Sequence, residues 1–242
     1  MLSKNQIKYI QSLHQKKHRQ MYGYFLVEGR KSVEDLISSN FEIHTIYATN
    51  QWNGLQSSIL GEKVEIVDAA SLQKIATHQH PDEVVALVKI PSIELPTTLP
   101  SGKYIVLDSI NDPGNAGTII RTADWFGWDG VIFLENCVDI FNPKTVNAAK
   151  GSLFNIPIYQ STATLLFSSA SMHAVYGAFL DGEAFDKIEK NENTLLIIGN
   201  EANGIAESVS SFVQKKISIP KKGNAESLNA GVAAAVLMSQ WP

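Results

Sequence analysis

The sequence has little of what stabilises secreted domains or anchors membrane proteins. It contains one cysteine, Cys137, so it cannot form an intramolecular disulfide, and no cysteine–histidine cluster has the spacing of a zinc site. No stretch approaches the roughly 18 consecutive apolar residues of a membrane-spanning helix. No apolar run follows the first basic residues, so we identify no signal peptide. These absences predict a cytoplasmic protein without a structural metal.

Two common nucleotide-binding motifs are also missing. Gly114 and Gly117 lack the third glycine of a GxGxxG motif, and no Gly-Lys-Ser/Thr sequence forms a P-loop. A dinucleotide-dependent reductase would need GxGxxG after its first strand and an acidic residue about 20 positions later. The missing glycine pattern argues against that class of enzyme.

Positive charge is slightly scarcer than negative charge but is concentrated at the N-terminus. The formal net charge is −4, yet the first 31 residues hold seven basic residues against one acid, Glu28. This asymmetry predicts a docking surface for a polyanion such as RNA, although a solvated basic helix on an acidic protein is the alternative. The predicted RNA contacts are Lys16, Lys17, Arg19, Arg30 and, from a later loop, Lys221.

Helix and strand patterns alternate along the chain with one interruption. The stretch from Ile90 to Pro100 carries three prolines and no helical periodicity, which predicts a linker. We therefore predict an auxiliary domain over residues 1–90, a linker over 91–101 and a second domain over 102–242. In the first domain the patterns predict helices over 7–17, 32–39 and 70–76, and strands over 25–28, 43–48, 64–67 and 84–89.

The second domain combines continuous apolar strands with intervening helices. The predicted strands cover 104–107, 130–134, 174–180, 195–198 and 217–219, and the predicted helices cover 115–126, 142–150, 206–214 and 226–240. This alternation predicts an α/β fold on a mostly parallel sheet covered on both faces. Ligands of such sheets collect at the carboxyl ends of strands, so the loops after Leu107, Ile198 and Ile219 are the candidate sites.

The first of these loops is rich in glycine and leads into a helix predicted to begin near Asn115. A helix start offers free backbone N–H groups, which suit a phosphate or carboxylate, although the glycines could also make only a tight turn. Arg121 follows Asn115 by six residues, close to two helical turns, so both side chains can face the same side. We expect Trp125 and Phe126 to pack in the core rather than to stack on a base.

The other two loops place polar groups after apolar strands. Gly199 and Gly204 frame an amide and a carboxylate, Asn200 and Glu201, and the glycines would let a flat ligand approach the backbone. A plain helix N-terminus with a favourable acid is the alternative reading of this loop. The third loop carries Lys221 and a second lysine that suit phosphate, and it precedes an apolar helix that must be buried or lie at an interface.

The three loops together resemble the three motifs of the SpoU (TrmH-type) RNA 2′-O-ribose methyltransferases of the SPOUT superfamily. The motifs are Asn115-x5-Arg121-Thr122-Ala123, Gly199-Asn200-Glu201-x2-Gly204, and Ile219-Pro220 with Ser227-Leu228-Asn229. The N-terminal region resembles the auxiliary RNA-binding domain of that family. Its markers are Gln15-Lys16-Lys17-His18-Arg19, Phe25-Leu26-Val27-Glu28-Gly29 and His80-Pro81-x3-Val85-Ala86-Leu87.

The resemblance implies an architecture and a reaction that spacing alone does not. It implies a C-terminal trefoil-knotted methyltransferase domain and a small N-terminal α/β domain like the ribosomal-protein-like substrate-binding domains. It implies S-adenosyl-L-methionine as cofactor and methyl transfer to a ribose 2′-hydroxyl, in ribosomal RNA by preference, with transfer RNA as the alternative substrate. It also implies a homodimer formed through the catalytic domain. The alternative is a non-catalytic RNA-binding protein on the same fold.

The resemblance also assigns roles to individual residues. The implied catalytic residues are Arg121, Asn115, Glu201 and Asn229, and the implied cofactor-binding residues are Gly199, Asn200, Gly204, Ile219 and Leu228. In the family the arginine of the first motif is proposed as the general base. A guanidinium is effectively always protonated, so Arg121 is better suited to bind the target phosphate and stabilise negative charge.

Overall fold

The computed structural model describes residues 2–56, 63–77 and 82–242 and divides into two compact units. Met1–Ser92 and Phe141–Asn155 belong to the first unit, and Ile93–Ile140 and Ile156–Pro242 form the second. The His80-Pro81 pair that contributed to the resemblance lies outside the described residues.

Aromatic packing explains why residues 141–155 belong to the first unit. The ring centroids of Phe141 and Phe25 lie 4.7 Å apart, and those of Phe154 and Phe41 lie 5.1 Å apart. This segment was predicted to belong to the domain over 102–242, because local periodicity carries no information about distant packing partners. The domain boundaries drawn from the sequence stay a prediction.

The first unit is built on a four-stranded sheet. Its strands are β1 (Tyr24–Glu28), β2 (Ile43–Ala48), β3 (Val64–Ile66) and β4 (Val84–Lys89), and its N-terminal helices are α1 (Lys4–Ser12), α2 (Lys16–Tyr22), α3 (Arg30–Ile37) and α4 (Ala69–Ile75). The strand order is β1-β4-β2-β3, with β4 antiparallel to both neighbours and β3 parallel to β2. The predicted strands over 43–48 and 84–89 agree with β2 and β4 at both ends.

The helix predicted over 7–17 is instead two helices separated by a short turn. Ser3 begins α1 with a reciprocal capping box to Gln6. The helix ends at Ser12, and the carbonyl of Leu13 in the turn accepts a hydrogen bond of 2.7 Å from the buried Nη1 of Arg19. Arg19 in α2 therefore satisfies a backbone group that the break in the helix would leave unpaired.

The second unit contains a six-stranded, all-parallel sheet, which confirms the predicted mostly parallel α/β fold. Its strand order is β10-β8-β9-β5-β6-β7. The strands are β5 (Lys103–Leu107), β6 (Gly130–Leu134), β7 (Ile158–Ser161), β8 (Ala174–Ala184), β9 (Thr194–Ile198) and β10 (Lys215–Ser218). The helices that follow α4 are α5 (Pro113–Trp125), α6 (Pro143–Ala149, in the first unit), α7 (Ala163–Ser169), α8 (Glu207–Ser210) and α9 (Ala230–Met238).

The register of the central strands places two of the predicted loops side by side. Leu107 at the end of β5 pairs with Ile198 at the end of β9, so the chain leaves both strands at the same level. On the other side of β9, the pairing register between β8 and β10 shifts: Lys216 of β10 pairs with Gly177 of β8, whereas the next residue, Ile217, pairs with Glu183. The intervening residues 178–182 of β8 therefore have no ladder partners on β10 and can border a cavity.

Side-chain caps fix the starts of the two helices nearest these loops. The Asp112 carboxylate accepts a hydrogen bond of 2.8 Å from the backbone N–H of Asn115, and Pro113 occupies the first turn, so α5 starts two residues before the predicted position. The Asn229 side-chain oxygen accepts from the N–H groups of Gly231 and Val232 at 3.0 and 3.2 Å. The residues before Asn229 are not helical, so α9 is shorter than predicted.

The expectation that Trp125 and Phe126 pack in the core is wrong. Trp125 is 83% exposed and Phe126 is 38% exposed. The face of α5 that is buried carries Ala116, Ile119, Ile120 and Ala123. Trp125 follows Ala123 by about 200° of helical rotation, so it projects from the opposite side.

Candidate active site

A cavity of about 590 Å³ opens at the carboxyl ends of β9, β8 and β10. Three segments line most of it, namely residues 198–204, residues 178–181 and the chain from 217 to 228. Its size is in the range of sites that hold small molecules and cofactors. The cavity contains all five residues that the resemblance implied for the cofactor, Gly199, Asn200, Gly204, Ile219 and Leu228.

The loop after β9 folds back on itself in a way that requires glycine at position 199. Asn200 and Gly204 exchange two backbone hydrogen bonds of 3.0 and 2.8 Å, which bring Gly204 over Gly199. A Cβ at position 199 would lie 2.3 Å from the carbonyl carbon of Gly204 and 2.4 Å from the N of Ile205. Gly204 has a positive φ of 68°, a backbone conformation that glycine adopts without a steric penalty.

A buried carboxylate that the sequence analysis missed ties this loop to β5. Asp108 is 2% exposed, and its Oδ2 accepts a hydrogen bond of 2.6 Å from the N–H of Ala206. From the other side, the Asn200 amide donates to the carbonyl of Ser109 at 3.0 Å. An acid directly after an apolar strand in the first motif loop was the available signal for Asp108. Residues 178–181 carried none, because they continue an apolar strand pattern.

Three polar side chains from the three motifs form a continuous hydrogen-bonded chain. The Asn115 Nδ2 donates to Oε1 of Glu201, and the Asn115 Oδ1 accepts from Nδ2 of Asn229 at 2.8 Å. The N–H of Ala230 also lies 3.4 Å from the same Glu201 oxygen. Both ends of the Asn115 amide are therefore engaged, which holds that side chain in one orientation.

Arg121 does not take part in the hydrogen bonds that join Asn115, Glu201 and Asn229. It is exposed on α5, it is absent from the cavity lining, and within the described residues it forms no hydrogen bond or ion pair. The expectation that it faces the same side as Asn115 is wrong, because six residues correspond to about 600° of rotation and leave the two side chains about 120° apart. Asn115, Glu201 and Asn229 meet, whereas Arg121 remains available to another molecule.

The predicted RNA contacts divide into accessible and inaccessible residues. Lys16, Lys17 and Lys221 are exposed, and Lys221 also lines the cavity. Arg30 is paired with Glu83 at 2.8 Å, although its side chain is 46% exposed. Arg19 is 2% exposed and bonded to the carbonyl of Leu13, so its assignment as an RNA contact is corrected to a structural role.

Cys137 lies close to the candidate site but is not suited to act as a nucleophile. Its thiol donates to the carbonyl of Leu107 at 3.1 Å, and burial raises its pKa to about 11. Within the described part of the chain, no group of three or more His, Cys, Asp or Glu side chains is arranged to hold a metal ion. In the same residues, no helix combines the length and apolar character needed to cross a membrane.

Comparisons with known proteins agree with the geometry of this site. Residues 102–239 match the model of the SpoU rRNA Methylase family, and residues 4–86 match the MRM3-like substrate binding domain. The chain is similar to the 23S rRNA (guanosine(2553)-2′-O)-methyltransferase RlmP of Bacillus subtilis, with 31% identity over 240 residues that cover 98% of this chain and 96% of the relative.

Two solved structures resemble the whole chain. The AdoMet-bound rRNA methyltransferase from Sinorhizobium meliloti superposes with a TM-score of 0.89 at 29% identity, covering 98% of this chain and 94% of that one. The SpoU methyltransferase AviRb from Streptomyces viridochromogenes, in complex with AdoMet, gives a TM-score of 0.85 at 25% identity, covering 98% and 96%.

Proposed function

The chain belongs to the SpoU rRNA methylase family, as its motifs predicted, and we propose that it transfers a methyl group from S-adenosylmethionine to a ribose 2′-hydroxyl of ribosomal RNA. The observation that carries this proposal is the convergence of all three motif loops on one site. The second and third motif loops line the cavity, and Asn115 of the first motif is hydrogen-bonded to Glu201 and Asn229 of those loops. A non-catalytic RNA-binding protein would not need this hydrogen-bonded chain beside a cofactor-sized cavity.

The cavity fits S-adenosylmethionine in volume and in chemistry. The close approach of Gly204 to Gly199 leaves backbone along one wall, against which a flat adenine ring can lie. Apolar Ile219 and Leu228 line the cavity and would provide further ring contacts, and the carboxylate of Asp181 at the cavity wall would attract a cationic group. When bound, the cofactor supplies an electrophilic methyl group on a sulfonium centre.

The protein contributes mainly by positioning the ribose hydroxyl and binding its phosphate. The fixed Asn115 amide, held between Glu201 and Asn229, presents polar groups beside the cavity without having to reorganise during the reaction. We assign the unpaired, exposed guanidinium of Arg121 to the phosphate of the target nucleotide. The hydroxyl proton then leaves to water, because a guanidinium cannot accept it.

We also propose a homodimer through the second unit and activity in the cytoplasm. Helices α5 and α9 pack closely: Gly231 of α9 has no Cβ, and a Cβ added there would lie only 3.3 Å from the methyl group of Thr118 on α5. On this helix pair Trp125 is 83% exposed and Val232 is 50% exposed. A second copy packed on these side chains would remove them from water. The trefoil knot of the family is part of the same proposal.

Calorimetric titration with S-adenosylmethionine, S-adenosylhomocysteine and NADH tests the cofactor assignment. We expect saturable binding of the first two compounds and none of NADH. Arg121→Ala should bind S-adenosylmethionine like the wild type and lose methyl transfer, since Arg121 lies outside the cavity. Failure of both methionine derivatives to bind would favour the non-catalytic RNA-binding alternative, and binding of NADH alone would overturn the proposal.

A further inference from the structure

An aromatic surface in the first unit is only partly covered by packing. Tyr9 on α1, Tyr22 at the end of α2 and Tyr24 at the start of β1 form its centre, and His18 and His44 lie at its margins; we call these five residues the tyrosine surface. Tyr22 is 40% exposed, although an aromatic ring of this size normally buries most of its area. Tyr9, His18 and Tyr24 are partly buried, whereas Tyr22 and His44 are exposed.

The rings of the tyrosine surface contact one another in sequence. Tyr22 meets Tyr9 edge to face with centroids 5.0 Å apart, and it lies nearly parallel to His18, at 5.9 Å and 13°. Tyr24 meets His44 edge to face at 5.1 Å. Burial and, secondarily, the neighbouring phenols of Tyr24 and Tyr22 raise the pKa of Tyr9. Tyr9 and Tyr24 also rest on the hydrophobic core, so their orientation is supported from below.

The two helices that carry Tyr9 and Tyr22 contain lysines and no acidic residue, and the exposed Glu42 next to His44 is paired with Lys89. The exposed lysines of the two helices that carry Tyr9 and Tyr22 are Lys4, Lys8, Lys16 and Lys17. None of the four forms an ion pair with any residue that the structure describes. The one acidic residue among the first 31, Glu28, is 5% exposed and accepts hydrogen bonds from Thr77, so it does not offset these lysines at the surface.

Helical spacing interleaves the rings with the basic side chains. Lys17 and Met21, and likewise His18 and Tyr22, are four residues apart and therefore adjacent on α2. Met21, also on α2, is 69% exposed and adds a polarisable apolar side chain to this helix. Exposed rings alternating with unpaired cations are the combination that binds unpaired bases and their phosphates at the same time.

We propose that the tyrosine surface binds single-stranded RNA, with unpaired bases stacked on Tyr22 and its neighbouring rings and phosphates held by the lysines of α1 and α2. The proposal rests on the proposed function only in taking RNA as the substrate. A duplex has its bases already stacked and paired, so it offers no free base faces to these rings. The charge pattern matches a polyanion, whereas an apolar protein partner would not require the lysines.

Fluorescence anisotropy with a 5′-labelled, mixed-sequence 15-nucleotide RNA tests this proposal in the full-length protein. Tyr22→Ala should raise Kd about 10-fold, as expected for the loss of one stacked base, and Tyr22→Phe should restore binding. Phe212→Ala is the matched control, because Phe212 in the second unit is 39% exposed and also stacks on a ring, that of Phe167. The fully paired form of the same RNA should bind more weakly and should not respond to Tyr22→Ala.

Salt dependence separates stacking from charge. Tyr22→Ala should leave the slope of log Kd against log salt unchanged, whereas Lys17→Ala should reduce it by about 0.7, the value for one phosphate contact on a single strand. Melting temperatures of the variants should stay near that of the wild type, which would exclude unfolding as the cause.

Equal single-strand affinity of Tyr22→Ala and wild type would overturn the inference, and so would a failure of Tyr22→Phe to recover binding. A wild type that binds no single-stranded RNA would also overturn it. Methyl transfer to ribosomal RNA is measured separately, so each of these outcomes leaves the proposed function to stand or fall by its own test.

Discussion

Replacement of Gly199 by alanine should disable cofactor binding by moving one loop. The new Cβ would lie 2.3 Å from the Gly204 carbonyl carbon, whereas ordinary contacts begin at 3.4 Å, so the two backbones must separate by about 1 Å. The obstacle is backbone rather than the end of a flexible side chain, so it cannot turn aside. Strain of this kind typically costs about 1–3 kcal/mol of stability, and a displacement of about 1 Å can reduce the function of a site about 100-fold.

The matched comparison is Gly204→Ala in the same loop. A Cβ at Gly204 would meet nothing within 4 Å, so this variant tests the positive φ of 68° without a steric clash. Titration calorimetry with S-adenosylmethionine should show about 100-fold weaker binding for Gly199→Ala and a much smaller loss for Gly204→Ala. Wild-type affinity in Gly199→Ala, or a greater loss in Gly204→Ala, would refute the reasoning that close backbone approach shapes the site.

Three further predictions test other parts of the structure. Burial raises the pKa of Cys137 to about 11. At pH 8 the native thiol should therefore react with iodoacetamide on the order of 100-fold more slowly than the thiol of the urea-unfolded chain. Equal rates would contradict the assigned burial. Burial lowers the pKa of His173 below 6.5, so the unfolded chain binds the proton more readily than the folded chain. The melting temperature should therefore fall as the pH decreases from about 6.5, and His173→Gln should weaken that dependence. An unchanged pH profile in His173→Gln would contradict this prediction. Trp125→Glu should convert the proposed dimer to a monomer in sedimentation velocity, while Leu165→Glu on α7, at a position 61% exposed, should not; a wild-type monomer or a dimeric Trp125→Glu would refute the proposed interface.

The sheet of the second unit could be predicted from the sequence because its strands are continuously apolar. Ile105 and Ile197 are fully buried in strands with parallel neighbours on both sides, and such strands stand out as uninterrupted hydrophobic runs. The edge strand β7 was missed, because Ile158-Tyr159-Gln160-Ser161 is short and mostly half-exposed and carries no such run. Helix α7, which follows β7, was missed as well.

The candidate site was predicted wherever a motif fixes local backbone geometry. The Gly199 loop and the Asn229 cap follow from local sequence; Gly199 lines the cavity, and Asn229 lies between the lining residues Leu228 and Ala230. The contributions of Asp108 and of residues 178–181 depend on the register between strands, which local patterns do not specify. The burial of Arg19 likewise depends on a turn between two helices that periodicity merged into one.

Identification of the methylated product tests the central claim most directly. Ribosomal RNA from a strain that lacks this gene would be incubated with the protein and S-adenosylmethionine labelled in the methyl group, digested to nucleosides and separated by chromatography with mass detection. We expect the label in a 2′-O-methylated nucleoside at one site, identified by its resistance to alkaline cleavage, and none with the Asn115→Ala variant. Label on a base, or no transfer to ribosomal RNA, would contradict the proposed function.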